Sequence, residues 1–137
     1  MTMKKRVTTA LYFLVGLVNL APIPGAAGQK YLETLYGVSI SSPDLLFLMQ
    51  HRALLFGVVG GLLVVAAFLP IYRKVAMAAG LFSMISFILL YAIADFQSDA
   101  ILKACLVDAI AVAFLGLAWM LGERRSGLRK APPSVTR

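Results

Sequence analysis

Four long apolar blocks constrain this chain more than any other feature of its sequence. Each has roughly 18 to 21 residues, which at about 1.5 Å per residue in a helix matches a hydrocarbon core of about 30 Å. Because backbone polar groups in lipid must be satisfied within the segment, each block is predicted to be a transmembrane α-helix. We therefore expect an all-α fold, a four-transmembrane-helix bundle with spans at about 7–24, 53–72, 75–94 and 101–121.

Composition agrees with a membrane setting. Of the 137 residues, 61% are hydrophobic and only 14% are charged, which is unusual for a soluble domain. The net charge of +7 would suggest nucleic acid in a soluble protein, but here the basic residues flank the apolar blocks. We therefore expect the lipid bilayer as the surroundings and no nucleic-acid partner. The single cysteine, Cys105, excludes an intramolecular disulfide and a paired-thiol redox motif.

The basic residues are distributed unequally between the two ends of the predicted bundle. Lys30, Arg52 and Lys103 lie towards one end, against ten at the other. The positive-inside rule assigns the richer end to the cytoplasm, so both termini are expected there. The ten are Lys4, Lys5, Arg6, Arg73, Lys74, Arg124, Arg125, Arg129, Lys130 and Arg137.

Residues 1–122 are predicted to form one membrane domain, and residues 123–137 a basic, disordered cytoplasmic tail. The first block also has features of a signal peptide, but its length favours a retained anchor. The first outer connection contains a short amphipathic helical segment, in which Tyr31, Leu32, Leu35 and Tyr36 share one face. This segment either rests on the membrane surface or caps the bundle.

The second helix is predicted to start well before its apolar block. Ser42 is a good N-cap, Pro43 suits the first helical position, and Asp44 is favourable in the first turn. No helix breaker follows until Pro70, so the helix should start near 43. His51 would then lie within this helix and not in a loop.

Ionisable residues within the spans are the main candidates for function, because charges in lipid are costly. Counted from the cytoplasmic charges at about 1.5 Å per residue, the polar residues of different helices reach similar depths in the outer half. We predict a polar cluster in which Arg52 pairs with Asp108 or Asp95. His51 lies beside it, and Asn19 contributes from the first helix. The cluster is either a structural salt bridge or an outward-facing site for a ligand head group or a proton. A lone histidine without Cys or Glu at ligand spacing predicts no metal site.

Small residues at helical spacing predict close helix packing. Gly57 and Gly61 lie four apart on the second helix with Gly60 between them, and Ala76 and Gly80 repeat the spacing on the third. These surfaces are expected to pack within the bundle, and a homodimer contact is the alternative.

The stretch LYGVSISSPDLLFLMQHRALLFGVVGG and the following IYRKVAMAAGLFSMISFILL resemble a group of small bacterial four-helix membrane proteins, related in layout to the DoxX-like families. The residues that carry this resemblance are Leu35, Tyr36, Gly37, Pro43, Asp44, His51, Arg52 and the glycines after them. The resemblance implies the fold and a bacterial inner-membrane setting, but no activity.

Three functions remain open at this point. The first is a noncatalytic protein that binds a lipid-like or amphipathic small molecule, or a membrane partner, at the polar cluster. The second is a small dimeric proton-coupled exporter that uses Asp108. The third is an intramembrane isomerase or quinone-linked enzyme with His51 and Asp108 as acid and base. None of the motifs predicts a bound cofactor.

Overall fold

The computed structural model describes residues 2–96 and 98–123, and it is helical without strands over these ranges. Four of its helices are long and apolar enough to cross a membrane, which confirms the predicted fold class. Short 3-10 turns join α1 to α2 and α3 to α4. The α-helices are α1 (Met3–Leu20), α2 (Gln29–Tyr36), α3 (Pro43–Phe68), α4 (Arg73–Ala92) and α5 (Asp99–Glu123). Beyond Glu123, the predicted basic tail lies outside the described residues.

The four long helices form a ring in which each contacts two neighbours. Helix α1 packs against α3 and α5, and α4 packs against the same two helices from the opposite side. Successive long helices run in opposite directions. One end of the bundle, the α2 end, therefore holds α2 and the α4–α5 connection, and the other, the Arg73 end, holds the turn between α3 and α4.

Helices α1 and α3 approach each other closely at two glycines. A Cβ atom built on Gly60 would lie 2.8 Å from the Gly16 carbonyl oxygen, and one on Gly16 would lie 3.0 Å from the Gly60 carbonyl oxygen. Of the three α3 glycines predicted to pack, Gly60 therefore makes the contact between helices and Gly61 does not. Gly61 has open space beside it, and Gly57 faces the side chain of Ile23 in the first connection. The four-residue spacing marks one side of a helix, but it does not say which side meets a neighbour.

The other predicted small residues lie inside the bundle. Ala76 is fully buried, and a Cβ on Gly80 would come within 3.3 to 3.4 Å of Leu115, Leu63 and Met84 from three helices. The core is apolar and is centred towards the Arg73 end. Its large, fully buried side chains are Tyr12, Val15, Leu63, Met84 and Leu115.

At the Arg73 end of the bundle, the side chain of Arg73 stabilises the last turn of α3. Its Nε donates to the Ala66 carbonyl at 3.1 Å and its Nη2 donates to the Ala67 carbonyl at 3.2 Å. These carbonyls belong to the last turn of α3, where a cation also complements the helix dipole. The guanidinium lies over the ring of Tyr12, 5.4 Å from its centroid. Arg73 therefore uses its charge and its donors to terminate α3.

Helix α2 covers the opposite end of the bundle. Leu32 is fully buried against Ile40 and Ala53, so this segment caps the bundle and does not merely rest on a surface. Glu33 Oε1 accepts from Gln29 Nε2 at 3.0 Å and from the Ile40 backbone amide at 2.9 Å, which ties α2 to the chain that follows it.

The start of α3 is stabilised by local signals. The Ser42 hydroxyl accepts from the Leu45 amide at 3.1 Å, and α3 begins at Pro43, where the sequence analysis placed it. Gly37 ends α2 with φ +62°, a left-handed conformation that suits glycine.

Candidate functional site

A cavity of about 710 Å³ lies at the α2 end, with walls from all five α-helices. Its volume falls within the roughly 300–1,000 Å³ typical of small-molecule sites. Apolar side chains from all five helices, among them Val18, Leu35, Phe56, Phe87 and Val107, form part of the wall. The polar and charged lining residues are Asn19, Thr34, Tyr36, Arg52, Ser98, Asp99, Lys103 and Asp108. The cavity therefore combines an apolar wall with several convergent polar groups.

Arg52 contributes a guanidinium held by aromatic rings. Its Cζ lies 4.4 Å from the centroid of Phe87, 5.1 Å from that of Phe56 and 5.7 Å from that of Tyr36. These distances are within cation–π range, but ring faces do not take up the N–H donors of a guanidinium. Over residues 2–96 and 98–123, no protein acceptor is hydrogen-bonded to Arg52, in contrast to Arg73. Arg52 therefore lines the cavity with N–H donors that no described protein group accepts.

Asp108 lines the same cavity from α5 and is half-buried. It does not form the predicted ion pair with Arg52: within the described chain, neither it nor Asp95 comes within the 4.0 Å N···O limit of the guanidinium. Both charges nevertheless act on the same side chain, that of Tyr36. Burial raises the pKa of Tyr36 above its ordinary value, Arg52 opposes that rise and Asp108 adds to it. The two charges thus face one cavity without touching.

Asn19 brings a polar group from α1 to the cavity. Its side chain is buried, with 4% of its surface exposed, and its Nδ2 donates to the Val15 carbonyl at 3.0 Å. This bond to the preceding turn uses one of the two amide hydrogens. The structure therefore brings together Asn19, Arg52 and Asp108 of the predicted cluster.

The two other predicted members of the cluster do not reach the cavity. His51 is exposed on α3, next to Arg52 in sequence but about 100° away around the helix axis. Asp95 is exposed in the connection between α4 and α5. Comparing depths along the spans does not give the direction in which a side chain points around the bundle, and both residues are exposed. The acid–base pair of His51 and Asp108, on which the enzyme hypothesis rested, does not share this cavity.

A second, smaller cavity of about 220 Å³ lies between α3 and α4. Arg52, Phe56 and Phe87 line both cavities and form the wall between them. The rest of the smaller cavity is mainly apolar, with Leu55, Val59 and Leu90, and contains Ser83 and Ser86. The Ser86 hydroxyl donates to the Ser83 carbonyl at 3.0 Å, so it is satisfied within α4.

Several lining residues were not identified from the sequence as part of the site. Phe56 and Phe87 look like ordinary apolar span residues, and nothing in their spacing indicates that they enclose an arginine. Asp99 and Lys103 lie four apart at the start of α5, a spacing that places both on one side of a helix. This spacing is the sequence signal from which two charged residues at the edge of the larger cavity could have been predicted.

Within the described residues, no group of three or more His, Cys, Asp or Glu side chains has the arrangement of a metal site. Comparisons of the chain with protein-family models, with curated proteins and with solved structures gave no match.

Proposed function

We propose that this protein is a noncatalytic membrane protein that binds an amphipathic, lipid-like small molecule in the cavity at the α2 end. The observation that carries the proposal is Arg52, which lines a cavity of about 710 Å³ with an apolar wall and whose N–H groups have no acceptor within the described chain. In a helix bundle, the N–H groups of a structural arginine donate hydrogen bonds to carbonyls or carboxylates, as those of Arg73 do. Arg52 has aromatic rings around it instead, so an acceptor from a ligand completes its surroundings.

The proposed setting is a bacterial inner membrane, in a protein that resembles the DoxX-like families. Lys4, Lys5 and Arg6 begin α1 and Arg73 and Lys74 begin α4, so these charges lie at one end of the bundle. The positive-inside rule then favours a cytoplasmic Arg73 end and an outward-facing α2 end. In this orientation the cavity lies at the outer end of the bundle, near the outer leaflet, where amphipathic molecules are available.

Native mass spectrometry of the gently extracted protein tests this function. We expect a copurifying amphipathic molecule in the unmodified protein and its loss in Arg52→Gln. The matched control is Arg6→Gln, which removes the same charge from an exposed position at the other end of the bundle. Retention of the bound species in Arg52→Gln, or its loss in both variants, would contradict a site at Arg52.

A proton-coupled exporter is the second candidate, because Asp108 places an acidic group inside the membrane-spanning part of the bundle and beside a cavity. This function requires that a proton gradient drives substrate movement and that Asp108→Asn stops it. Transport into vesicles that is unchanged by Asp108→Asn would remove this candidate.

A further inference from the structure

We infer that the head group of the ligand is zwitterionic, with its anionic part bound by Arg52 and its cationic part bound by Asp108. The inference rests on the proposed function and gives the chemical class of its ligand. It starts from the observation that two opposite charges line one cavity without forming an ion pair with each other.

Arg52 provides the site for the anionic part. Phe87, Phe56 and Tyr36 surround the guanidinium at 4.4 to 5.7 Å and fix its position, while its hydrogen-bond donors stay available. A planar guanidinium matches the two oxygen atoms of a phosphate or carboxylate. Lys103 adds a second positive charge at the rim of the same cavity.

Asp108 provides the site for the cationic part. An ionised carboxylate only accepts hydrogen bonds, and a half-buried one in a spanning helix needs a cation or several donors nearby. Because Arg52 lies beyond ion-pair distance, a ligand ammonium group beside Asp108 satisfies the carboxylate, while the anionic part of the head group lies against Arg52. Asn19 lines the cavity as well and supplies an amide next to the head group.

The charge balance of the whole cavity favours a dipolar group over a simple anion or cation. Two basic residues, Arg52 and Lys103, and two acidic residues, Asp99 and Asp108, line it. A purely anionic head group would meet the repulsion of two carboxylates, and a purely cationic one that of two basic groups. A head group with both charges meets a partner for each.

Lipids that share one acyl chain and differ only in the head group test this inference. The probes are lysophosphatidylethanolamine (zwitterionic), lysophosphatidylglycerol (anionic) and a monoacylglycerol (uncharged), each added to protein in an uncharged maltoside detergent. We expect the zwitterionic probe to bind about 10- to 100-fold more tightly than the anionic one, the range expected for one charge-assisted hydrogen bond. Free phosphoethanolamine is added separately, because its binding would identify a soluble source of the same head group, and its failure to bind would assign a lipid.

Two variants locate the charges. In Asp108→Asn the preference for the zwitterionic over the anionic probe should disappear. In Arg52→Gln both phosphate-bearing probes should lose affinity relative to the monoacylglycerol, while the preference for the zwitterionic probe stays because Asp108 is intact. The ratio of two dissociation constants within one variant does not depend on how much of the preparation is folded. If all probes bind equally, or the anionic probe binds best, the zwitterion assignment is wrong while lipid binding stands. If no probe binds, the proposed function fails with it.

Discussion

Replacing Gly60 by alanine should destabilise the bundle, whereas the same change at the neighbouring Gly61 should not. The new Cβ at position 60 would lie 2.8 Å from the Gly16 carbonyl oxygen and 2.9 Å from Leu20 Cδ2. The leucine side chain is able to rotate away, but the carbonyl moves only if α1 moves. At Gly61 the new methyl group enters open space.

The expected magnitude follows from comparing the two variants directly. Both replace glycine by alanine inside α3, so the gain in helix propensity of about 1 kcal/mol is common to both and cancels. What remains is the overpacking cost, which is about 1–3 kcal/mol for a methyl group forced into a packed interface. We expect the free energy of unfolding of Gly60→Ala to be lower than that of Gly61→Ala by this amount.

The assay is reversible unfolding in mixed micelles with increasing denaturing detergent, followed by the fluorescence of Trp119 and by circular dichroism. Gly16→Ala should behave like Gly60→Ala, since its Cβ would lie 2.7 Å from Val64 Cγ2 and 3.0 Å from the Gly60 carbonyl oxygen. The double variant Gly16→Ala/Gly60→Ala should lose less than the sum, because one methyl group already separates the helices. If Gly60→Ala and Gly61→Ala agree within about 0.5 kcal/mol, the close α1–α3 approach is refuted.

Three further predictions follow from single contacts. Arg73→Gln removes the two donors that cap α3 and should destabilise the bundle by about 1.5–3 kcal/mol in the same unfolding assay, while Arg6→Gln changes little. Ser42→Ala removes the N-cap of α3 and should cost about 0.5–2 kcal/mol, and Ser42→Asn should restore most of it. Hydrogen bonds from Gln29 and from the Ile40 amide lower the pKa of the Glu33 carboxyl group. The stability that these bonds contribute is therefore fully present at a pH above the ordinary pKa of about 4.3, and it is lost as the pH falls through the lowered pKa. Hydrogen-exchange protection of the Ile40 amide should fall in that acidic range, and Glu33→Gln should remove the pH dependence; unchanged protection would argue against this contact.

Local sequence signals predicted a good part of the fold. Block length predicted the spans, and the order Ser42, Pro43, Asp44 predicted where α3 begins, because capping depends on residues within one turn of each other. The amphipathic segment ends at Gly37, because the backbone there is left-handed and glycine adopts that conformation most readily.

The candidate site was predictable only in part. Charge in or beside an apolar block singled out Arg52 and Asp108, and both line the cavity. Rotation around the helix axes was not predictable from depth alone, so His51 was included although it is exposed. Phe56 and Phe87 carry no signal in sequence, since an aromatic residue in a span is unremarkable until the arginine beside it is known.

The sequence by itself determined that this chain is a four-helix membrane protein, because spans, caps and breakers depend on residues close together along the chain. Only the tertiary structure decided which glycines meet and which charges face each other. In a ring of four helices, contacts depend on how each helix is rotated and crossed, and that is determined by packing between distant segments. The same packing holds Arg52 among aromatic rings and places it, with Asp108, on the wall of one cavity.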